Sequence, residues 1–264
     1  MPLTFEDPAE GLTLPPVREV PLTRPFRWLA LGWRDFTQVP FCSGYHGLAV
    51  ALGGLVIVWL AVRYWPLLPG AVSGFLLVGP ILATGLYALS RRIEMGGRAS
   101  MTDVKEAWRR GTRPLVWMGL ILAIAATAWV LLSAVLVALF VKVPITGLDG
   151  FLRHIVLSQN SYLFTIWVLA GGLGAALIFA ITVVSVPLLL DRDIDMLSAI
   201  ATSIRAVGDN PVAMALWATL IMIATVFSMA TAMLGFVVAI PVIGHATWHA
   251  YRDVVDAESL PLRR

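Results

Sequence analysis

Apolar residues run through this chain in long unbroken blocks, divided by short segments in which charge recurs every few positions. Four uncharged blocks stand out: Tyr45–Val62, Tyr64–Ser90, Leu115–Val141 and Ser161–Leu190. Each is close to or above the roughly 20 residues that a helix needs to cross hydrocarbon. A fifth block begins at Pro211 and meets no charge until Arg252. As one helix it would be roughly 60 Å long, about twice the thickness of the hydrocarbon core. The pattern therefore predicts two helices there, turning near Ser228–Gly235, and six spans in three hairpins.

The segments between blocks carry a second period. Ile194, Leu197, Ile200, Ile204 and Val207 recur at spacings of three and four, with Asp195, Ser198, Thr202 and Arg205 between them. Met101, Val104 and Trp108 repeat the pattern beside Lys105, Glu106 and Arg109, and Ser100 with Asp103 forms a capping-box signature ahead of it. Phe26, Leu29, Trp33 and Phe36 show it a third time, beside Arg27, Arg34 and Asp35. Such helices suit the membrane interface. Each precedes a proline that opens a span (Pro40, Pro114, Pro211), and each returning span carries another (Pro80, Pro187, Pro241). "PILATGLYALSR" and "PVIGHATWHAYR" align without a gap. The reading is three copies of one unit: interfacial helix, span, outer turn, returning span.

Composition supports the solvent this implies. The 264 residues are 59% hydrophobic and 13% charged, against about 25% charged in soluble domains. The mean hydropathy is +0.84. Charge placement sets the orientation. Of 19 Lys and Arg, only Arg63, Lys142 and Arg153 fall on outer segments, and the other 16 fall on inner ones. Both termini are then cytoplasmic. Tyr64 and Trp65 mark an outer interface, and Trp28, Trp33, Trp108, Trp248 and Tyr251 the inner one. The expected organisation is an extended or disordered arm over 1–25, a membrane domain over 26–255 and a tail over 256–264. A lone cysteine, Cys42, excludes an intrachain disulfide.

Candidate chemistry is sparse. His245 and His249 share a helix face in "GHATWHAYR", and Cys42 and His46 repeat that spacing at the cytoplasmic start of the first span. Together they offer a donor set for zinc or copper, or part of a haem site. The favoured reading binds these histidines to backbone, water, headgroups or a carboxylate, with no cofactor. Asp191 and Arg192 end the fourth span, and Asp191 is expected to pair with Arg91 or Arg92. The alternative is a cation or proton site. The basic segment from Arg91 to Arg113 would attract anionic lipid headgroups. No nucleotide-binding, serine-hydrolase or zinc-protease motif appears, and no charge lies in mid-span, which counts against ion-coupled transport.

The stretches "GFLLVGPILATGLYALSRRIEMG", "VPLLLDRDIDMLSAIATSIRAVGDNP" and "IPVIGHATWHAYRD" resemble domain-of-unknown-function family 2189, integral membrane proteins of proteobacteria. The resemblance spans Trp28 to Val255. It implies a multi-pass protein of the bacterial inner membrane and supplies no activity, though some members are described as putative cytochrome c oxidase components. The interfacial-helix-and-proline arrangement also resembles, in architecture alone, the membrane domain attached to some glycerophosphodiester phosphodiesterases. The fold expected is an all-α six-span bundle with cytoplasmic interfacial amphipathic helices. The function expected is non-enzymatic interaction or assembly, with a setting beside respiratory complexes implied by the resemblance. Metal or haem handling, or small-molecule carriage, is the alternative.

Overall fold

The computed structural model describes residues 14–61, 63–64, 67–77, 79–109, 113–143, 147–158 and 162–263. Trp65, Arg110, Ser161, Arg264 and residues 1–13 of the arm lie outside them. Among the described residues the regular structure is helical, with isolated β-bridges and no strand.

The first unit comprises α1 (Arg24–Gln38), α2 (Pro40–Ala61) and a broken return, α3 (Leu68–Leu77), α4 (Gly79–Leu82) and α5 (Thr84–Glu94). The second comprises α6 (Met101–Arg109), α7 (Arg113–Phe140), a short α8 (Gly147–Phe151) with a π-helical turn (Leu152–Val156), and a return of α9 (Leu163–Thr182) and α10 (Ser185–Asp191). The third comprises α11 (Met196–Asp209), α12 (Pro211–Ala230) and α13 (Phe236–Val254). The long final block is thus two helices. Its turn, Thr231–Gly235, carries two residues with positive φ, Ala232 and Met233.

Proline explains the break between α9 and α10. A proline lacks an N–H and its ring strikes the carbonyl four residues back. That carbonyl belongs to Val183 for Pro187, and the helix parts there, while in the first return the described break lies at Ala83, three residues after Pro80. In the second break, Ser203 of α11 donates to the Ala180 carbonyl (2.7 Å) and accepts the Val184 N–H (3.1 Å). In α13, Pro241 lies inside the helix, which continues unbroken past it.

Among the described residues four helical stretches are long and apolar enough to cross a membrane: Pro40–Leu60, Arg113–Phe140, Leu163–Asp191 and Pro211–Ala230. Only 22% of the α7 window is buried inside the protein, and Val116, Trp117, Ile124, Leu131 and Leu139 stand exposed. In water that surface would aggregate. In lipid it is the expected exterior. The chain is an integral membrane protein.

The main core gathers where α5, α10 and α13 meet, around Leu86, Leu89, Leu188, Leu189, Trp248 and Tyr251. α6 lies on α5, α11 on α9 and α10, and α1 on α13. α2 also packs on α13, and α3 on α7. Further from the core, Trp129 donates to Ser73 (2.6 Å) and Trp167 to Ser133 (2.5 Å), tying α7 to α3 and α9. Hydrogen bonds between small polar residues and tryptophans are a common means of holding apolar helices together.

The short helices carry a face that periodicity alone does not reveal. α1 buries Pro25, Trp28, Gly32 and Asp35 and leaves Phe26 and Trp33 about half exposed. α11 buries Ser198, Ala199, Thr202, Ser203 and Ala206 and exposes Leu197 and Ile204. On α11 small and polar side chains face the protein and large apolar ones face outward, the reverse of a soluble helix, and on α1 Gly32 and Asp35 face inward beside the buried Trp28. Of the Ser100–Asp103 capping box, the returning half forms: the Asp103 carboxylate accepts the Ser100 N–H at 2.8 Å, while the Ser100 hydroxyl donates to that carboxylate instead of accepting the Asp103 N–H.

Candidate functional site

Two polar clusters sit in the core, one beside the other on α13. The first is built on Asp191, the last residue of α10. Leu188, Leu189 and Leu190 fix that helix end in the apolar core, so the carboxylate is only 3% exposed. Arg91 of α5 donates to it at 2.9 Å, Arg192 at 3.0 Å and the Tyr251 hydroxyl of α13 at 2.8 Å. Arg252 approaches to 4.0 Å. Of the two arginines expected as partners, Arg91 is the one that pairs. Arg92 turns outward, 3.9 Å from Asp103 of α6.

The chain ends close over this cluster. Arg192 donates to the Leu260 carbonyl (2.8 Å), Arg91 to the Arg263 carbonyl (3.2 Å), and Arg263 to the Leu189 carbonyl. Val17 bridges Val255, and Arg18 donates to the Val255 carbonyl at 2.7 Å. Asn210 holds both the N–H of Val20 and the carbonyl of Arg18. The donors that one carboxylate cannot satisfy are thus taken up by terminal backbone.

The second cluster is a chain of hydrogen bonds through His245, which is fully buried. Its Nε2 lies 2.8 Å from Ser43 Oγ and its Nδ1 2.7 Å from Ser90 Oγ. Ser90 donates to Asp35 Oδ2 at 2.7 Å, and His249 Nε2 reaches the same oxygen at 2.9 Å. With Asp35 ionised, the donors order themselves. The Ser90 hydroxyl serves the carboxylate, His245 Nδ1–H serves Ser90, and His245 Nε2 accepts from Ser43. α1, α2, α5 and α13 each supply a member. Gly32 lets α1 reach α13, since a Cβ there would stand 2.5 Å from the Val242 carbonyl oxygen.

His46 donates from Nδ1 to the Cys42 carbonyl at 2.8 Å and packs against Gly85 of α5. The Cys42 thiol is free and half-buried. Three of the four sequence candidates are engaged: His245 by two serines, His249 by Asp35, which joins it to His245 through Ser90, and His46 by its own helix, while the Cys42 thiol is free. Among the described residues no group of three or more His, Cys, Asp or Glu is placed to hold a metal ion. Ser43 and His245 form the donor–base pair of a nucleophilic site, but Ser43 has no exposed surface for a substrate to approach.

Asp35, Ser43 and Ser90 were not singled out as site residues by the sequence. One signal was present: Asp35 falls at a spacing of seven from Trp28 and three from Gly32, an acid on a helix stripe that otherwise packs against protein. Beside Asp35 and His249 a cleft of about 320 Å³ opens to the exterior, lined also by Arg34, Gln38 and Glu94.

The model of domain-of-unknown-function family 2189, described as predicted integral membrane protein, matches residues 67–191. The matched stretch takes in the α5 block and Asp191, while "GHATWHAYR" lies beyond it. No curated protein and no solved structure matches the chain.

Proposed function

We propose that this chain, whose residues 67–191 belong to domain-of-unknown-function family 2189, is a non-enzymatic interaction or assembly protein of the bacterial inner membrane. It crosses the bilayer six times in three hairpins, keeps both termini in the cytoplasm, and lays α1, α6 and α11 in the cytoplasmic interface among anionic headgroups. The three hairpins are copies of one unit. Three contacts support this: α6 on α5, α11 on α10 and α1 on α13. So does the recurrence of a residue pair ending in arginine at the same distance past the proline in two of the returns, Ser90–Arg91 after Pro80 and Tyr251–Arg252 after Pro241.

The observation that carries the reading is that the reactive side chains are already engaged with one another. Asp191 is held by Arg91, Arg192 and Tyr251, and both ring nitrogens of His245 are held by serines. These groups lock helices together, while the outer spans present broad apolar faces. A respiratory setting rests on the family resemblance alone.

Native electrophoresis of mildly solubilised membranes tests this, paired with metal and haem analysis of the purified protein and with oxidase haem absorbance in a deletion strain. The chain should migrate well above its own 28.6 kDa, free of stoichiometric metal or haem, and its deletion should lower assembled oxidase. A solitary chain carrying one metal or haem per copy would replace this reading with the metal-handling one through Cys42, His46, His245 and His249. Unchanged oxidase would remove the respiratory setting.

A further inference from the structure

The cleft beside Asp35 lies between α1, α5 and α13, on the side of α1 that neighbours the exposed Trp33. Its polar groups divide into two sets. On one side, Arg34 and Gln38 stand four residues apart on one face of α1, both exposed, and neither side chain has a hydrogen-bond partner among the described residues. They are the donors of the cleft. On the other side are acceptors. Asp35 uses one carboxylate oxygen for Ser90 and His249, which leaves the other without a recorded partner. Glu94 accepts from Trp248 (2.8 Å) and Arg252 (2.9 Å) with one lone pair of each oxygen. His249 gives its Nε2–H to Asp35, so in the neutral ring Nδ1 is an acceptor. Leu31 and Ile93 form the apolar walls.

A ligand that satisfies both sets carries a phosphate next to a primary ammonium. Three N–H donors match the three acceptors, and the phosphate meets a guanidinium and an amide. We propose that this cleft binds an ethanolamine-phosphate group, the headgroup of a zwitterionic aminophospholipid. A quaternary choline headgroup has no N–H and would leave the acceptors unpaired. A glycerol headgroup carries the same phosphate but sets neutral hydroxyls, not a cation, against Asp35 and Glu94. The depth is right if α1 lies in the interface, so the inference rests on that part of the proposed function.

The test uses purified full-length protein in detergent with an equimolar mixture of phosphatidylethanolamine, phosphatidylcholine and phosphatidylglycerol of matched chains, read by native mass spectrometry. Wild type should retain ethanolamine lipid over each of the others by about tenfold, the scale of one well-made charge-assisted contact. Arg34→Glu should bring that ratio close to one. Arg27→Glu, an equal charge change on the same helix outside the cleft, should leave it intact. Size-exclusion elution of all three confirms folding, and both arginines are exposed. Equal retention of the choline lipid, preference for the glycerol lipid, or an unchanged ratio in Arg34→Glu overturns the proposal. Soluble glycerophosphoethanolamine, added at millimolar concentration, identifies the source. Displacement shows that the headgroup chemistry suffices, and an intact preference without displacement assigns the site to the membrane lipid. Native-gel migration is indifferent to headgroup identity, so failure here leaves the assembly reading standing and the reverse also holds.

Discussion

Asp191→Asn removes the one negative charge on which the ends of α5, α10 and α13 converge. The side chain keeps its shape, but the guanidiniums of Arg91 and Arg192, at 2.9 and 3.0 Å, lose their counter-charge, and Arg252 at 4.0 Å loses its nearest buried one. The amide must also turn an N–H₂ toward a donor, either a guanidinium or the Tyr251 hydroxyl. Removing one partner from a buried ion pair costs about 3–5 kcal/mol. Arg91 is 23% exposed and can turn part of its charge to water, whereas Arg192 is only 9% exposed. The lower end, about 3 kcal/mol, is therefore expected. At about 2–4 °C per kcal/mol for a chain of this size, Tm should fall by about 6–12 °C. The assay is thermal unfolding in a mild detergent, followed by tryptophan fluorescence or by loss of the monodisperse size-exclusion peak. Asp149→Asn is the control, since its pairing with Arg153 is exposed on both sides and should be worth under about 1 kcal/mol. Adding Arg91→Gln to Asp191→Asn should recover part of the loss, because the charge left unpaired is then gone. A Tm within about 2 °C of wild type for Asp191→Asn, or equal effects at Asp191 and Asp149, would refute the reasoning.

Ser90→Ala strands His245 Nδ1 and removes a donor to Asp35 in one step, so it should cost about 1–3 kcal/mol and lower Tm in the same assay. Gly32→Ala drives a methyl into the backbone of α13, 2.5 Å from the Val242 carbonyl oxygen, and should destabilise by about 1–3 kcal/mol, whereas Gly172→Ala, which meets open space, should be neutral or slightly stabilising. Asp195 caps α11 by accepting the Ser198 N–H at 2.9 Å, so Asp195→Ala should cost about 1 kcal/mol. Burial raises the Asp195 carboxyl, but the bonds from Ser198 and nearby backbone outweigh it and hold the pKa below its ordinary value. The cap's contribution is then complete above the ordinary carboxyl range, near about 4, and is lost as pH falls through the lowered folded value. Unfolding of wild type and Asp195→Ala should therefore converge at acid pH.

What the sequence reveals here follows from which forces are local. Long apolar blocks, proline punctuation and the excess of length after Pro211 are properties of neighbouring residues, and the helices, the break before Pro187 and the turn before Phe236 follow from them. The pairing of Asp191 with Arg91 was legible because a buried carboxylate needs a cation and few were available at that depth. The Asp35–Ser90–His245–Ser43 chain was not, because its members lie 55 to 202 residues apart and serine carries no sequence signal of burial. Periodicity also reports which residues are apolar, not what they face. On α1 and α11 Trp33 and Leu197, part of the stripes read as interfacial, turn outward, and what the spacing left unread is that Gly32, Asp35 and Ser203 turn in. In a bilayer the apolar exterior and the small, polar interior exchange the places they hold in water.

The central claim is a six-span bundle whose last hairpin returns the chain to the side from which it started. Paired reporters, one active only in the periplasm and one only in the cytoplasm, fused after Gly97, after Asn160 and at Arg264, test it directly. The account predicts cytoplasmic signals at Gly97 and Arg264 and a periplasmic signal at Asn160. A periplasmic Arg264 would mean that α12 and α13 do not both cross, and would contradict it.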